Sequence, residues 1–136
     1  MTEMRRGSIA SIDALGFKGL WRRYAPGSVI QKLRGMRDSA LRLASHGNQH
    51  VLHGRSHVVR FLSDTIVIGC HTGQWPGLTQ EELDRDAVHT VAILGNCLIR
   101  DSLECEPFLL YRGCIAMGEF VLDGNFVVGE AVDEAA

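Results

Sequence analysis

The chain has 136 residues, of which 46% are hydrophobic and 22% are charged, and its formal net charge is −2 at pH 7. This length predicts a single domain, and the composition is typical of soluble globular proteins. The small negative charge argues against nucleic acid as a bulk electrostatic partner, and we expect no signal peptide and no membrane helix because no apolar segment is long enough.

The first part of the chain predicts a strand followed by two helices. Residues 9–12 are apolar and predict a short buried strand that runs into a glycine turn. From Phe17 onward, apolar residues recur at helical spacing until Pro26 ends the helix. A second amphipathic pattern follows, and Gly47 is predicted to end it.

The remainder predicts two hairpins on either side of a long helix. The pair Thr79 and Glu82 forms a capping box, and the apolar residues after it share one helical stripe. The predicted strands are residues 58–61, 65–68, 108–117, 119–122 and 126–128, and a helix begins at Val132. The order predicts an α+β fold in which one mainly antiparallel sheet has helices on one face.

Cysteine and histidine usage points to a reducing environment without a zinc site. Cys70, Cys97 and Cys114 lie within apolar patterns and are predicted to be buried thiols, and no CxxC spacing occurs. We therefore expect a cytoplasmic protein. Glycines interrupt the segment that carries four spaced histidines, so surface positions are favoured over a metal site for His46, His50, His53 and His57.

Two aspartates are the strongest candidates for a chemical role. Asp13 follows an apolar strand, and Asp64 interrupts an apolar hairpin. Asp13 could instead cap the following helix, and Asp64 could instead supply a turn. Together they predict a divalent metal site, because Mg²⁺ is usually held by one or two carboxylates plus substrate phosphates. A helix that begins near Gly16 would offer free N–H groups to those phosphates.

Two cations each have two interpretations, and the phosphate role is favoured for Arg112 but not for Lys18. Arg112 lies within a predicted strand, where a charge needs a partner. It could bind phosphates through bidentate hydrogen bonds, or it could form a salt bridge with an acidic neighbour. Lys18 could add a charge for phosphates or remain solvated. The acidic candidates for Arg112 are Glu104, Glu106 and Glu119.

Four segments resemble the motifs of class III nucleotidyl cyclases and occur in the family's order. The second of them normally ends in Gly-Asp, whereas this chain has Ser63-Asp64. The segments are residues 13–17 (DALGF), 60–64 (RFLSD), 112–119 (RGCIAMGE) and 129–135 (GEAVDEA). The resemblance implies a ferredoxin-like fold related to polymerase palms, a homodimer with shared active sites, and cyclisation of a nucleoside triphosphate with release of pyrophosphate.

The resemblance also implies roles for individual residues, with two Mg²⁺ or Mn²⁺ ions in each site. The metal ligands would be Asp13, Asp64 and the Ala14 carbonyl. The phosphates would meet Gly16, Phe17, Lys18 and Arg112. The base would meet Arg60 from the partner subunit and Phe126, and the ribose would meet Asp133. Phe126 could also fill the core, which is the favoured use from its sequence.

Departures from the family's pattern point to a pyrimidine substrate. Arg60 stands where adenylyl cyclases have lysine and guanylyl cyclases have glutamate, and a guanidinium can only donate hydrogen bonds. Uracil O4, cytosine O2 and N3, and guanine O6 are suitable acceptors, but the N1 and N2 donors of guanine would lose their usual acidic partner. The chain is most similar to the uridylate and cytidylate cyclases of bacterial Pycsar anti-phage systems, which implies cyclic UMP or cyclic CMP and a separate effector protein that responds to it.

The C-terminal motif is incomplete. Asp133 replaces the family's asparagine, and the arginine expected four residues later would fall beyond Ala136. We expect residues 1–136 to be one cyclase domain that either ends early or is truncated there. The rival hypothesis is a catalytically inactive domain that binds nucleotides or mediates dimerisation.

Overall fold

In the computed structural model, which describes residues 3–48, 57–124 and 126–136 without the side chains of residues 45–48, a five-stranded antiparallel sheet is combined with four helices. The α+β fold and the predicted order of elements are confirmed. The elements are β1 (Arg5–Leu15), α1 (Phe17–Arg23), α2 (Pro26–Asn48), β2 (His57–Leu62), β3 (Thr65–His71), α3 (Gln80–Glu104), β4 (Leu110–Asp123), β5 (Phe126–Val128) and α4 (Glu130–Ala135).

Strand β1 lies at the centre of the sheet, whose strand order is β2-β3-β1-β4-β5. Successive side chains of a strand point to opposite faces. Ala10, Ile12 and Ala14 belong to the main core with residues of α1, α2 and α3, and we call this side of the sheet the inner face. Ile9 belongs to a different cluster, so it and Asp13 stand on the opposite side, which we call the outer face.

The outer face carries a second, smaller core at one end. Helix α4 packs there, where Ala131 and Ala135 meet Ile9, Val67 and Phe120. The helices expected on one face are therefore supplemented by a short C-terminal helix on the other. Close approach depends on glycine, since a Cβ built on Gly118 would lie 3.1 Å from the Ala131 Cβ.

Lys32 of α2 fixes the junction between α3 and β4. Helix α3 begins at the predicted capping box, but its last turn has no basic residue. The Lys32 side chain is only 8% exposed, and its Nζ donates to the carbonyls of Asp101 at 2.9 Å and Cys105 at 2.7 Å. A cation from another helix thereby satisfies the C-terminal end of α3, which is the negative end of the helix dipole.

Several boundaries differ from the sequence-based prediction. β4 is one continuous strand through Gly118, because a glycine in a twisted strand need not interrupt its pairing, and α2 continues through Gly47 to Asn48. Cys97 is buried, but the buried position predicted for Cys114 is wrong: it is exposed on the outer face, beyond the cover of α4. The predictions for His46, His50 and His53 fall on side chains outside the described part. None of the described helices is long and apolar enough to cross a membrane.

Candidate active site

Asp13 lies near the end of β1, half-buried on the outer face. Because β1 is paired on both sides, Thr65 of β3 and Arg112 of β4 stand directly opposite it. Directly opposed residues of antiparallel strands share a face, with Cβ atoms about 5 Å apart. Thr65 Oγ1 donates a hydrogen bond to Asp13 Oδ1 at 2.6 Å, which fixes the orientation of this carboxylate.

Asp64 lies beside this group, in the turn between β2 and β3. Its carbonyl accepts a hydrogen bond from the Ala14 N–H at 2.8 Å, so the turn is tied to the residue after Asp13. The preceding Ser63 has a φ of 55°, a left-handed conformation that explains why glycine suits this position. The turn predicted for Asp64 is thus confirmed. The Asp64 side chain is exposed there, at the same end of the strands as Asp13.

The structural alternatives for Asp13 and Arg112 are wrong. Gly16 occupies the N-cap position of α1, and no side chain caps that helix, so Asp13 does not act as its cap. Arg112 is exposed, and within the described ranges it forms no salt bridge with Glu104, Glu106 or Glu119. Its guanidinium is therefore available to an anionic ligand beside Asp13.

The two carboxylates have the chemistry of a site for hard divalent cations. Among the residues with described side chains, neither Asp13 nor Asp64 forms an ion pair, and no cluster of three or more His, Cys, Asp or Glu side chains could enclose a metal. A site with two carboxylates and no protein cage suits Mg²⁺ or Mn²⁺, which can complete their coordination with water and substrate phosphates. Asp13 and Asp64 thus fit these ions.

The segment after β1, residues 16–18, exposes one of its side chains and buries another. Gly16 has a φ of 69°, the left-handed conformation that glycine adopts without strain. The Phe17 side chain is buried in the main core, edge-on to Trp21 with ring centroids 5.5 Å apart. Phe17 could therefore meet a phosphate only through its backbone, whereas the Lys18 side chain is exposed.

The Arg60 guanidinium, from β2, and Phe126 lie near the turn between β4 and β5. Arg60 pairs across from Val67, on the outer face, and its guanidinium donates to the Gly124 carbonyl in the turn before β5. Phe126, on β5, is 71% exposed, so the favoured use of this ring in the core is wrong: the strand is too short and peripheral to be covered. No described hydrogen bond joins Arg60 to Asp13 or Asp64.

Asp133 is exposed in the first turn of α4, and the structure gives it no contact with Asp13 or Asp64. Its N–H donates to the Gly129 carbonyl at 3.3 Å, which is an ordinary bond of the helix start. The structure therefore places Asp13, Asp64 and Arg112 at the same end of β1 and directs the Arg60 guanidinium to the β4–β5 turn. It gives Asp133 no described hydrogen bond to either group.

One residue of the site, Thr65, and one core residue next to it, Tyr111, were missed by sequence reasoning. Thr65 directly follows Asp64, and a hydroxyl at the start of a strand gives no signal that it will bind the other aspartate. Tyr111 precedes Arg112 and its sequence context indicates only an apolar strand residue. Burial, together with the nearby negative charge of Asp64, raises the pKa of Tyr111 to about 12.

Comparison with known proteins supports the fold. No family model matches the sequence, and no curated protein matches it. The adenylyl cyclase CyaB from P. aeruginosa is similar over 99% of this chain and 71% of that one, with a TM-score of 0.64 and 13% identity. The guanylate cyclase domain of RhGC from Catenaria anguillulae, solved in complex with GTP, is similar over 98% and 71%, with a TM-score of 0.61 and 13% identity.

A third structure extends this comparison to a protein described as dimeric. It is the non-canonical dimeric guanylyl cyclase domain of the RhoGC fusion protein from Blastocladiella emersonii, with a TM-score of 0.63 and 15% identity over 98% of this chain and 72% of that one. At these identities the similarity concerns the fold. This chain therefore has the fold of adenylyl and guanylyl cyclase domains.

Proposed function

We propose that the chain is a nucleotidyl cyclase that converts a nucleoside triphosphate into the 3′,5′-cyclic monophosphate and pyrophosphate. The observation that carries the proposal is the end of β1, where Arg112 stands directly opposite Asp13 and the turn that carries Asp64 is hydrogen-bonded to Ala14. An arrangement of two carboxylates and one available arginine suits a triphosphate accompanied by divalent cations. The shared fold of adenylyl and guanylyl cyclase domains supports the same conclusion.

Each residue at this end of β1 has a distinct role in the proposed reaction. Asp13 and Asp64 would hold Mg²⁺ or Mn²⁺, with the Ala14 carbonyl as a further ligand, and such ions stabilise the charge of an in-line phosphoryl transfer. Arg112 would bind the β- and γ-phosphates and favour departure of pyrophosphate. Gly16 and Phe17 would contribute backbone N–H groups, and Lys18 would contribute charge.

We further propose a pyrimidine substrate, with UTP preferred and CTP as its closest competitor. Arg60 offers donors only, so it matches uracil O4 and leaves the amino group of adenine unpaired. One of these donors already binds Gly124, which reduces the number available to a base. Phe126 is exposed enough to stack on a base, and Asp133 would accept a hydrogen bond from the ribose.

The biological proposal follows from the resemblance to the Pycsar cyclases. The product would be cyclic UMP or cyclic CMP, made in the cytoplasm as an anti-phage signal. A separate effector protein would bind this product and respond to it.

The proposed active unit is a homodimer in which Arg60 acts on the site of the partner subunit. Within one chain the Arg60 guanidinium binds the Gly124 carbonyl and forms no described hydrogen bond with Asp13 or Asp64, and a two-fold axis could bring the Arg60 of one subunit to the aspartates of the other. Mixing Asp13→Ala chains with Arg60→Ala chains should restore part of the activity. If confirmed heterodimers show no rescue, the site lies within one chain.

The decisive test is incubation with an equimolar mixture of the four nucleoside triphosphates and Mn²⁺, with the cyclic products identified by mass spectrometry. Dominant cyclic UMP is expected. Dominant cyclic AMP or cyclic GMP would overturn the pyrimidine assignment but not the cyclase assignment. No cyclic product, together with nucleotide binding, would favour the rival function of an inactive binding or dimerisation module.

A further inference from the structure

The basic residues of the chain are concentrated in its first two helices. Residues 17–48, which span α1 and α2, hold seven of the 14 Lys and Arg residues but only one of the 16 Asp and Glu residues. Helix α3, which is similar in length to α2, has two arginines against six acidic residues. The whole chain has a net charge of −2, so α1 and α2 form a positive side on a molecule that is otherwise acidic.

One exposed stripe of α2 combines this positive charge with apolar side chains. Ile30, Arg34, Arg37 and Leu41 are spaced by four, three and four residues, which places them on one side of the helix, and all four are exposed. The residues of α2 that pack in the main core, such as Met36, lie on its other side. We call the four exposed residues the α2 stripe.

The α2 stripe faces away from the proposed active site. Helix α2 packs against the inner face of the sheet, whereas Asp13 lies on the outer face. Because the stripe lies on the side of α2 opposite to its core residues, it also faces away from the sheet. A large partner bound to the stripe would therefore leave the outer face open.

The end of α1 adds an aromatic ring and more positive charge. Trp21 is 49% exposed and its ring packs edge-on against Phe17, so part of the indole is held by the protein and the rest faces solvent. Arg22 and Arg23 follow in the last turn of α1 and are exposed. Two residues separate α1 from α2, and a chain of that length spans at most about 11 Å, so these side chains lie beside the first turn of α2.

The arginines of this surface keep their charge available to an external partner. Among the described residues, no acidic side chain forms a salt bridge with Arg22, Arg23 or Arg34. Arg37 pairs with Asp38 at 3.1 Å, and both side chains are about half exposed. Exposed pairs of this kind contribute little, so a stronger anionic partner could displace Asp38.

We propose that α1 and α2 form a surface that binds anionic lipid bilayers peripherally. The arginines would bind lipid phosphates, and Trp21, Ile30 and Leu41 would enter the interfacial region, where indole rings and the apolar residues of amphipathic helices are favoured. Arginine can bury its apolar stem beside such residues while its guanidinium stays at the phosphates. A nucleic acid would use the arginines but not the aliphatic side chains, so a lipid surface fits more of the observations.

Binding is measured by sedimentation with vesicles of phosphatidylcholine and phosphatidylglycerol in equal parts, and with vesicles of phosphatidylcholine alone. The protein should bind only the anionic vesicles, and about 1 M salt should release it, because charges are then screened beyond about 3 Å. Trp75→Phe leaves Trp21 as the only tryptophan of the chain. Its fluorescence should shift to shorter wavelength when the protein binds.

A matched pair of double variants tests the charge of the surface. Arg34→Gln combined with Arg37→Gln should weaken binding about 25-fold, since each basic residue beside an anionic membrane contributes about fivefold. The control removes the same charge from exposed positions of α3, by Arg85→Gln combined with Arg100→Gln, and should bind nearly as the wild type does. Circular dichroism shows whether the variants remain folded.

A second matched pair tests the apolar part of the surface. Ile30 is 45% exposed on α2, and Ile93 is 44% exposed on α3. Ile30→Ser should weaken binding to the anionic vesicles, whereas Ile93→Ser should not.

Several results would overturn the proposal. One is a wild type that does not bind the anionic vesicles, and another is an equal loss in the two double variants, which would assign binding to net charge. Unchanged Trp21 fluorescence in the bound protein, or equal binding by Ile30→Ser and the wild type, would contradict insertion. Tighter binding to a DNA duplex than to the vesicles would favour a nucleic-acid surface instead. None of these measurements requires turnover, so they test the surface separately from the proposed function.

Discussion

The two ends of the outer face use the same strands for opposite purposes. At one end, β1 and β4 carry Ile9 and Phe120, which α4 covers. At the other end, the same two strands carry Asp13 and Arg112, which no described element covers. The period-2 alternation is continuous along both strands, so the strand geometry alone does not separate a core from a site.

The cover supplied by α4 makes the difference. At the covered end, glycine at 7, 118 and 129 lets the backbones and the helix approach closely. At the open end, polar side chains replace apolar ones and keep unused hydrogen-bonding capacity. One end therefore contributes stability and the other contributes chemistry, and substitutions should affect the two properties separately.

The largest effect is expected at the open end. Asp13→Asn and Asp64→Asn should each lower turnover by at least about a thousandfold, because losing a metal ligand removes several kcal/mol of transition-state stabilisation. The melting temperature should change little, since the amide oxygen introduced at position 13 could still accept the Thr65 hydrogen bond. The measurement is turnover with Mn²⁺ beside thermal unfolding, and Asp38→Asn on the exposed side of α2 serves as the control. Near-wild-type turnover in either variant would contradict a metal site at the open end.

Substitutions at the covered end should lower the free energy of unfolding. Gly129 has a φ of 147°, and a Cβ there would lie 2.5 Å from the Glu119 carbonyl oxygen. Gly129→Ala should therefore displace α4 and lower the free energy of unfolding by about 2–3 kcal/mol, as measured by urea unfolding. Gly35→Ala is the matched control: apart from its chain neighbours and the backbone of its own helix, no atom lies within 4 Å of its built Cβ, and α2 should gain up to about 1 kcal/mol. Equal responses at both glycines would contradict the close packing of α4.

A smaller effect should appear with pH at the covered end. His71 stacks on Phe120, its Nε2 lies 3.1 Å from the Phe120 carbonyl, and burial lowers its pKa below the usual 6.5. The unfolded state then binds more protons than the folded state, so the contribution of His71 to stability is complete above about pH 6.5 and is lost as the pH falls through its lowered value. Urea unfolding at pH 8 and at about pH 5.5 measures this loss.

The control for this effect is His89→Gln on the exposed side of α3, which should leave the pH dependence unchanged. His71→Gln should reduce it, and part of the remainder comes from His57, whose pKa burial also lowers. If both variants follow the wild-type profile below pH 6.5, other groups cause the loss of stability.

The smallest effect concerns the turn at the open end. Ser63 has a φ of 55°, a conformation that costs a residue with a side chain about 1 kcal/mol. Glycine avoids this strain, but its greater conformational freedom in the unfolded chain offsets part of the gain in stability. Ser63→Gly should therefore raise the free energy of unfolding by less than about 1 kcal/mol. Ser63→Ala keeps the cost and should show no gain. A loss of stability in the glycine variant would mean that the serine side chain has a structural contact.

Most of the fold was predictable because local pattern and fold agree. The capping box, the helical stripe of α3 and the β2–β3 hairpin were all predicted from residue spacing, and the structure confirms them. The exposure of Cys114 and Phe126 was not predictable in this way. Both are apolar in a strand pattern, and only the position of α4 and the shortness of β5 decide that they remain uncovered.

The site was predictable in its acidic residues but not in their neighbours. The sequence motifs identify Asp13, Asp64 and Arg112 as candidates, but only the register of β1 against β4 reveals that Arg112 faces Asp13. Thr65 and Tyr111 give no sequence signal because a hydroxyl has no periodicity of its own. Lys32 likewise resembles a surface lysine of α2, since its acceptors lie about seventy positions away in the chain.

The short β5 strand leaves most of β4 without a strand on one side. Among the described strands, β5 pairs only with Val121, Leu122 and Asp123, so residues 110–120 of β4 pair with β1 alone. A fibre that grows by strand addition needs two usable edges on every subunit, because each copy must accept one neighbour and offer itself to the next. The unpaired side of β4 and the edge strand β2 together meet this requirement.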